Sequence, residues 1–227
     1  MRKIVALLPM KANSERVVGK NFKKLAGKPL YRWILETLLS LDEIDTVVIN
    51  TDARHLLESD EIFQDKRIVI RDRHPEICGD EVSMNRIIAD DMQHIDAETY
   101  VMTHTTNPLL EKSSILMGLQ NFEAAIASGS ADSLFGVTKY QTRFYTVDAE
   151  PINHDPSKLI RTQDLEPWYE ENSCVYMFTK PSFARTKSRI GMNPMLFEIP
   201  KLEAIDIDEP EDWVLAEAIA RLRKEAI

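Results

Sequence analysis

Two aspartates placed two residues apart, Asp206 and Asp208, give this 227-residue chain a clear chemical signal. In an extended strand, side chains two positions apart project from the same face, so the two carboxylates would point together. Such carboxylates repel each other unless a proton or a cation lies between them. An all-oxygen ligand set favours Mg²⁺ over metals that prefer His or Cys. In an alternative interpretation, Asp208 is the N-cap of a helix that begins near Pro210, but this leaves Asp206 without a role.

A basic loop is the second signal. The segment from Pro9 to Asn21 follows an apolar run and carries Lys11, Arg16 and Lys20. It contains neither GxGxxG nor GxxxxGK followed by Ser or Thr, so the common phosphate-binding loops are excluded. Several cations and backbone amides at a strand end suit a triphosphate, whose charge is concentrated. A solvated basic loop without a ligand is the other interpretation.

Charge and composition narrow the choice of partners. Between Met1 and Arg32 there are nine Lys or Arg residues and one acid, Glu15, whereas the whole chain has a net charge of −9. The overall charge disfavours binding to a nucleic acid or an anionic membrane, and the local positive segment suits a small polyanion. Two cysteines, Cys78 and Cys174, are too few for a disulfide framework and indicate a reduced, cytoplasmic protein. No stretch approaches the roughly 18 apolar residues of a membrane span.

Alternating strands and helices are predicted in one domain over residues 1–227. The predicted strands are Lys3–Leu8, Thr46–Asn50, Arg67–Ile70, Thr99–Met102, Ser133–Thr138, Asn172–Thr179 and Leu202–Ile207. The predicted helices are Pro29–Ser40, a short one from Thr51 to Ser59, Ser83–His94, Ser113–Ser128 and Pro210–Glu225. Apolar, β-branched strands that alternate with helices predict an α/β fold with a mostly parallel sheet covered on both faces. Because such sheets bind ligands beyond the carboxyl ends of their strands, we expect the functional residues in the loops that follow the strands.

Six segments carry longer motifs. The first, KIVALLPMKANSERVVGKNFKKLAGKPL, is similar to IPARxGSKGxxxKNxxxLxGKPL, and the last, IDIDEPEDWVLAE, matches IDIDxPEDxxxAE. In this order the six resemble the CMP-sugar synthetase family, above all the acylneuraminate cytidylyltransferases, which are related to the ketodeoxyoctulosonate (KDO) cytidylyltransferases. The segments are Lys3–Leu30, Thr46–Asp52, Arg73–Ser83, His104–Leu109, Arg161–Tyr176 and Ile205–Glu217.

The resemblance implies a fold and a reaction. The expected fold is a three-layer, Rossmann-like nucleotidyltransferase fold, with an inserted dimerisation or lid segment at about residues 140–172 and hence a homodimer. The expected reaction is Mg²⁺-dependent transfer of CMP from CTP to a 2-keto-3-deoxy sugar acid of the sialic-acid type, with pyrophosphate as the second product.

The resemblance also implies a role for individual residues. The residues implied in catalysis are Lys11, Arg16, Lys20, Asp206 and Asp208, of which the two aspartates would hold Mg²⁺. The implied nucleotide contacts are Lys11, Ser14, Lys20, Asn21, Arg73, Ser83 and His104. The implied sugar contacts are Gln163, Asp164, Tyr169 and Asn172. Structural alternatives make Asn21 a helix cap, Tyr169 a packed surface aromatic and Ser83 the N-cap of its helix.

At three places the sequence differs from the family motifs, and these differences affect which sugar the protein would bind. The motif GSKG is replaced by Asn13-Ser14-Glu15-Arg16, RRQD becomes RTQD at residues 161–164, and ENG becomes ENS at residues 171–173. The second change removes an arginine suited to a substrate carboxylate. These changes leave the sugar open. The alternatives are a nucleotidyltransferase for another sugar or nucleotide, such as KDO or a sugar phosphate, and a non-catalytic nucleotide-binding homologue.

Overall fold

A computed structural model of the chain describes residues 3–12, 14 and 16–225. The strands are β1 (Ile4–Leu7), β2 (Lys24–Leu25), β3 (Lys28–Pro29), β4 (Thr46–Thr51), β5 (Ile68–Asp72), β6 (Thr99–Thr103), β7 (Ser133–Tyr140), β8 (Trp168–Phe178) and β9 (Pro194–Glu198). The helices are α1 (Leu30–Leu39), α2 (Arg54–Leu57), α3 (Met84–His94), α4 (Lys112–Ser128), α5 (Lys180–Thr186) and α6 (Pro210–Glu225).

One seven-stranded sheet, formed by the described residues, runs in the order β5-β4-β1-β6-β8-β7-β9. β1 pairs in parallel with β4 and β6, and β5 pairs in parallel with β4. β8 is antiparallel to its neighbours β6 and β7, whereas β9 is parallel to β7. The mostly parallel α/β sheet predicted from the sequence is confirmed.

Helices cover both faces of this sheet, and β1 shows how. Ile4 and Ala6 belong to the apolar cluster that includes α1 and α4, whereas Val5 and Leu7 belong to the cluster that includes α3 and α5. Successive side chains of a strand point to opposite faces, so an unbroken apolar run is buried on both. The three-layer arrangement is therefore as expected.

A third apolar cluster joins the basic loop to α6 and to the β2–β3 hairpin. α6 contributes Trp213 and Ala216, the β2–β3 hairpin contributes Leu25, and the loop contributes Val17. The hairpin turns through Ala26 and Gly27 at φ values of 45° and 97°, and two positive φ values are typical of a tight two-residue hairpin turn. The basic loop is thus anchored to α6 at one end and to the sheet at the other.

The prediction of a strand at Leu202–Ile207 is wrong. Residues 201–203 form a turn, and 204–208 have no regular secondary structure and do not pair in the sheet. Ile207 N–H donates to the Thr106 carbonyl at 2.8 Å, so the segment lies along the turn after β6 as an isolated contact. The edge strand is instead β9. The alternation in the sequence arises because Ile205 and Ile207 pack in the α6 cluster.

Other boundaries differ less. β8 begins at Trp168 rather than Asn172, because its first residues pair with the extended end of β7. Residues 141–167 form an irregular arm between these strands, in the region where an insertion was predicted. In the part of the chain that the structure describes, none of the helices is both long and apolar enough to cross a membrane.

Candidate active site

A cavity of about 370 Å³ opens where β1, β5 and β6 end. The basic loop, the segment before α3 and the turn after β6 form its walls. Of the residues predicted from the sequence, those that line it are Lys11, Ser14, Arg16, Lys20, Asn21, Arg73, His104 and Asp208. The sheet therefore brings most of the predicted nucleotide contacts together.

Lys20 joins the basic loop to the carboxylate segment. Its side chain is 10% exposed, and its ammonium group donates to the Ile207 carbonyl at 2.6 Å and to Asp208 Oδ1 at 3.3 Å. Arg16 binds Asp208 at 3.1 Å and Glu209 at 3.0 Å. The cations and carboxylates that the sequence predicted as two separate signals thus lie in one site.

The Asp208 carboxylate is engaged by these cations, and the start of α6 is capped by another acid. Asp212 Oδ2 accepts the backbone N–H of Asp208 at 3.0 Å and that of Glu209 at 2.7 Å. A carboxylate three positions into a helix that reaches back to the N-cap N–H is one half of a capping box. Asp212 therefore supplies the reverse contact of a capping box, whereas the Asp208 carboxylate binds Lys20 and Arg16.

Asp206 has the chemistry of a metal ligand. Its Oδ1 is buried without a hydrogen-bond partner among the described residues. Burial raises the pKa of this carboxyl, a hydrogen bond from Thr106 lowers it, and the nearby Asp208 raises it further. An unpartnered buried oxygen beside a second carboxylate fits a hard cation. No cluster of three or more Asp, Glu, His or Cys residues suited to a metal is found over residues 3–12, 14 and 16–225. Mg²⁺ here would keep waters or take substrate phosphates as its remaining ligands, as it does with one or two carboxylates elsewhere.

Lys11 lies on another wall of the cavity. Its ammonium forms an ion pair with Asp80, which precedes α3, and both side chains are about half exposed. Because an exposed pair contributes little to stability, this contact can be exchanged for a ligand anion at low cost. Asn13 and Glu15, two of the departures from the family motif, lie outside the described residues.

Asn21 holds two walls of the cavity together. Its amide donates to the Lys11 carbonyl at 2.8 Å, and its Oδ1 accepts the Thr105 hydroxyl at 2.6 Å. The side chain is buried and its main hydrogen-bonding groups are occupied. Asn21 therefore shapes the basic loop against the turn after β6.

Arg73 forms part of the cavity floor. Its Nε donates to Asn50 Oδ1 at 2.9 Å, and its Nη2 donates to the carbonyls of Met10 at 3.1 Å and Asn50 at 2.8 Å. Asn50 in turn donates to the buried Asp91 at 2.8 Å. This network fixes the guanidinium between the ends of β1 and β4.

Ser83 behaves as the structural alternative predicted. Its hydroxyl accepts the Asn85 N–H at 3.3 Å and so caps α3. The residues on either side of it, Val82 and Met84, line the cavity.

The predicted sugar contacts are not brought to this cavity, since none of the four lines it within the described residues. Asn172 is buried, where its amide donates to Thr138 Oγ1 and its Oδ1 accepts the Cys174 N–H. Gln163 and Asp164 lie in an exposed turn, and Tyr169 is exposed on β8.

Arg189 is a residue that the sequence did not single out. It lies between α5 and β9, its side chain is 17% exposed, and its Nη1 lies 3.2 Å from His104 Nε2. No motif or periodicity marks it, because its position depends on how the chain returns to the sheet edge after α5.

Clustered cations and the Asp208 carboxylate line one cavity beyond the carboxyl ends of a mostly parallel sheet, and Asp206 lies close to Asp208 without lining the cavity. This arrangement is typical of a nucleotidyltransferase type of site. The sequence model of the cytidylyltransferase family matches residues 5–225 of this chain. The chain therefore belongs to the cytidylyltransferase family.

Three of the curated relatives differ in length. The CMP-N,N'-diacetyllegionaminic acid synthase of Legionella pneumophila is 25% identical over 238 residues, which cover 99% of this chain and 99% of the relative. The pseudaminic acid cytidylyltransferase of Campylobacter jejuni is 22% identical over 235 residues, with 99% of both chains covered. The N-acylneuraminate cytidylyltransferase of Streptococcus agalactiae is 22% identical over 218 residues, and these cover 93% of this chain but 52% of the relative. This chain thus spans about half the length of that relative.

Solved structures share the fold at low identity. A CMP:2-keto-3-deoxy-manno-octonic acid synthetase complexed with CTP has a TM-score of 0.67 and 15% identity, over 97% of this chain and 99% of that one. A 4-diphosphocytidyl-2C-methyl-D-erythritol synthase from Anaerococcus prevotii has a TM-score of 0.69 and 13% identity, over 97% and 96%. These likenesses support the nucleotidyltransferase fold.

Proposed function

We propose that this protein transfers CMP from CTP to a 2-keto-3-deoxy sugar acid of the sialic-acid type, with Mg²⁺, and releases pyrophosphate. The observation that carries the proposal is the contact of Lys20 and Arg16 with Asp208 inside one cavity. It combines groups for a polyphosphate with groups for a divalent cation. The names of the relatives given above refer to legionaminic, pseudaminic and N-acylneuraminic acids, and this supports the choice of sugar class.

The phosphates would be received by the basic loop. Lys11 and Arg16 would exchange their exposed ion pairs with acids for contacts with phosphate oxygens, and Ser14 would add a hydroxyl. Lys20 is already desolvated and fixed, so it would stabilise charge that develops on the departing pyrophosphate without further ordering. The sugar's anomeric hydroxyl would then displace pyrophosphate from the α-phosphorus in line, and the protein's contribution would be mainly positioning and charge neutralisation.

Asp206 and Asp208 would hold the metal. When bound there, Mg²⁺ supplies Lewis-acid neutralisation of the phosphate oxygens. For Asp206, whose Oδ1 has no hydrogen-bond partner among the described residues, a cation would also remove the cost of a buried unpaired charge. Asp208 would have to share its carboxylate between the cation and the two basic residues that already bind it.

The cytosine and ribose would lie toward Asn21, Arg73 and His104. Asn21 and Arg73 use most of their hydrogen-bonding groups to shape the loop and floor, so they would act chiefly by placing backbone groups around the base. His104 would face the ligand directly. Ser83 would act indirectly, through the start of α3.

The sugar contacts Gln163, Asp164 and Tyr169 would be supplied across a homodimer. In the single chain they lie outside the cavity, on the arm at residues 141–167 and the adjoining start of β8. The arm also exposes large apolar side chains, among them Val147, which is 100% exposed, and Leu159. Such a patch is typical of an interface, and the proposal is that the arm of one protomer closes over the cavity of its partner. The proposal also places the enzyme in the cytoplasm, where its two free thiols stay reduced.

A pyrophosphate-release assay tests the proposal. The four nucleoside triphosphates are crossed with N-acetylneuraminate, legionaminate and pseudaminate-type acids and KDO, each with Mg²⁺ or EDTA. We expect turnover with CTP, one of the sugar acids and Mg²⁺. Turnover with another nucleotide would overturn the base assignment, and no turnover with any pair would overturn the enzymatic proposal for this chain.

A further inference from the structure

Arg189 is a largely buried cation that the proposed reaction does not use. Its guanidinium carbon lies 3.7 Å from the centroid of the Tyr176 ring, and its Nη2 donates to the Tyr176 hydroxyl at 2.9 Å. Glu171 lies 3.7 Å away and offsets its charge. Its backbone N–H donates to Asn85 Oδ1 on α3 at 3.1 Å. Contacts from β8 and α3 therefore fix this side chain against the turn after β6.

The contact between Arg189 and His104 determines where the imidazole carries its proton. Arginine has donors and no acceptor, so the Nε2 that lies 3.2 Å from Nη1 must accept a hydrogen bond. A histidine whose Nε2 is an acceptor is neutral and carries its hydrogen on Nδ1. The ring is thus held in one of its two neutral tautomers.

The charged groups around the ring favour the same state. Burial lowers the pKa of His104 to about 3, and the cations of Arg189 and Lys20 lower it while Asp208 acts in the opposite direction. The imidazole therefore stays neutral through the physiological range of pH, and Arg189 has an accepting nitrogen to bind.

The Nδ1–H group is the part of the ring left for a ligand. His104 lines the cavity, and within residues 3–12, 14 and 16–225 its side-chain hydrogen bond is the one to Arg189. A neutral ring with Nε2 occupied offers a ligand a single donor in a fixed direction. The complementary group on a substrate is an acceptor oxygen, as found in the carbonyl of cytosine and in the carboxylate of a sugar acid.

We propose that Arg189 is a positioning residue that holds His104 as a neutral Nδ1–H donor, and that this donor recognises an acceptor oxygen of a substrate in the cavity. The second half of the proposal rests on the proposed cytidylyltransferase reaction, because it supplies the two candidate oxygens. The first half concerns the free protein alone.

Nitrogen-15 NMR of the histidine rings tests the first half on the wild-type protein, with the His104 signals assigned by their loss in His104→Ala. We expect the pattern of a neutral ring with hydrogen on Nδ1, and a mixture of tautomers in Arg189→Met. A charged ring, or hydrogen on Nε2 in the wild type, overturns the proposal. This result does not depend on turnover, so it stands apart from any failure of the proposed reaction.

Kinetics test the second half. The loss of one positioned hydrogen bond should raise the KM of a single substrate by about five- to tenfold in Arg189→Met, with kcat little changed. A rise in the KM for CTP identifies the base carbonyl, and a rise in the KM for the sugar acid identifies its carboxylate. Unchanged KM values for both substrates overturn the recognition role. Arg189→Lys keeps a donor and the cation and should restore most of the affinity. If Arg189→Met is unstable, His104→Ala carries the same test, because it removes the proposed donor and should raise the KM of the same single substrate.

A double-mutant cycle separates positioning from a direct or purely structural effect. In a His104→Ala background there is no ring to orient, so Arg189→Met should cause no further rise in KM. Additive losses overturn the proposal, because they mean that Arg189 acts without His104. Arg185→Met is the matched control: Arg185 lies on α5, is more than half exposed and pairs with Asp132. It should leave both KM values and the ring tautomer unchanged.

Discussion

The two carboxylates of the candidate metal site should respond in opposite directions when each is neutralised in the absence of metal. Asp206 carries a buried oxygen without a partner among the described residues, and burial raises its pKa. Asp208 instead binds Arg16 and Lys20. Asp206→Asn should therefore stabilise the metal-free protein, whereas Asp208→Asn should destabilise it.

The magnitudes follow from these contacts. Asp206→Asn removes the buried charge and its repulsion with Asp208, but the amide still leaves a buried polar atom without a partner among the described residues, so the free energy of unfolding should rise by about 1 kcal/mol. In a protein of this size that corresponds to a Tm increase of about 2–4 °C. The Asp208 side chain is 44% exposed, so its two ion pairs together are worth about 1 kcal/mol, and Asp208→Asn should lower Tm by about 2–4 °C.

The dependence of thermal stability on pH provides a second test of the Asp206 prediction. A carboxyl whose pKa is raised in the folded state contributes stability that is fully present below its unfolded value, near 3.8, and is lost as pH rises through the folded value. The Tm difference between Asp206→Asn and the wild type should therefore be small near pH 4 and should grow toward neutral pH.

Thermal unfolding in EDTA, from pH 4 to 8, measures these effects, and repeating the scans with Mg²⁺ and CTP tests the metal role. A ligand at a hundred times its Kd stabilises by about 2.7 kcal/mol, and both variants should lose most of that increment. Glu209→Gln is the matched control, because it removes a neighbouring exposed carboxylate that also pairs with Arg16. A destabilised Asp206→Asn in EDTA, or one that keeps the full response to Mg²⁺, would refute the reasoning.

Three further predictions concern the loop, β8 and the arm. Lys20→Met should lower Tm by about 3–6 °C, because it leaves the Ile207 carbonyl without its donor. It should also abolish CTP binding in calorimetry, because it removes the ammonium group proposed to face the phosphates; retained CTP affinity would contradict this role. Ser173→Gly should raise Tm by about 2–4 °C without changing the sheet, since Ser173 has a φ of 58°, where a side chain is strained; a lower Tm would contradict this. Val147→Asp with Leu159→Asp should convert the proposed homodimer to a monomer in light scattering while Tm stays within a few degrees, and an unchanged mass would show that the arm is not the interface.

The part of the fold that could be predicted from the sequence is the part governed by local pattern. The residues of β1 and β4 form short, fully apolar runs, and such runs are buried on both faces of a sheet whatever surrounds them. Parallel sheets bind ligands beyond the carboxyl ends of their strands, and this rule placed the basic loop and the turn after β6 at the same edge of the sheet, where both line the cavity. The strand predicted over Leu202–Ile207 failed because alternation records burial and not hydrogen bonding. Ile205 and Ile207 are packed by α6 rather than by a neighbouring strand.

The candidate site divides in the same way. Lys20 and Asp208 are close because the basic loop follows β1, whereas the segment before Asp208 lies along the turn after the neighbouring strand β6. The first placement follows from the residue order, but the second was predicted from a strand that does not form. Arg189 reaches His104 only because α5 and the return to β9 carry it back over β8, and those elements leave no periodic trace in the sequence. In the proposed homodimer, the predicted sugar contacts depend on where the arm of one protomer lies relative to its partner, and residue order along one chain carries no signal for that placement.

The contacts of Lys20 and Arg16 with Asp208 also bear on how substrate and metal would enter. Without ligand, the cations that would receive phosphate are neutralised by a carboxylate that would hold the metal. A triphosphate arriving alone would place its charge beside Asp206 and Asp208, and a divalent cation arriving alone would face Lys20 and Arg16. Each ligand therefore relieves the repulsion that opposes the other, and reciprocal coupling of this kind raises the affinity for both. The uneven charge of the chain, basic at its start and acidic beyond it, would then make the site selective for a metal–nucleotide complex over either component.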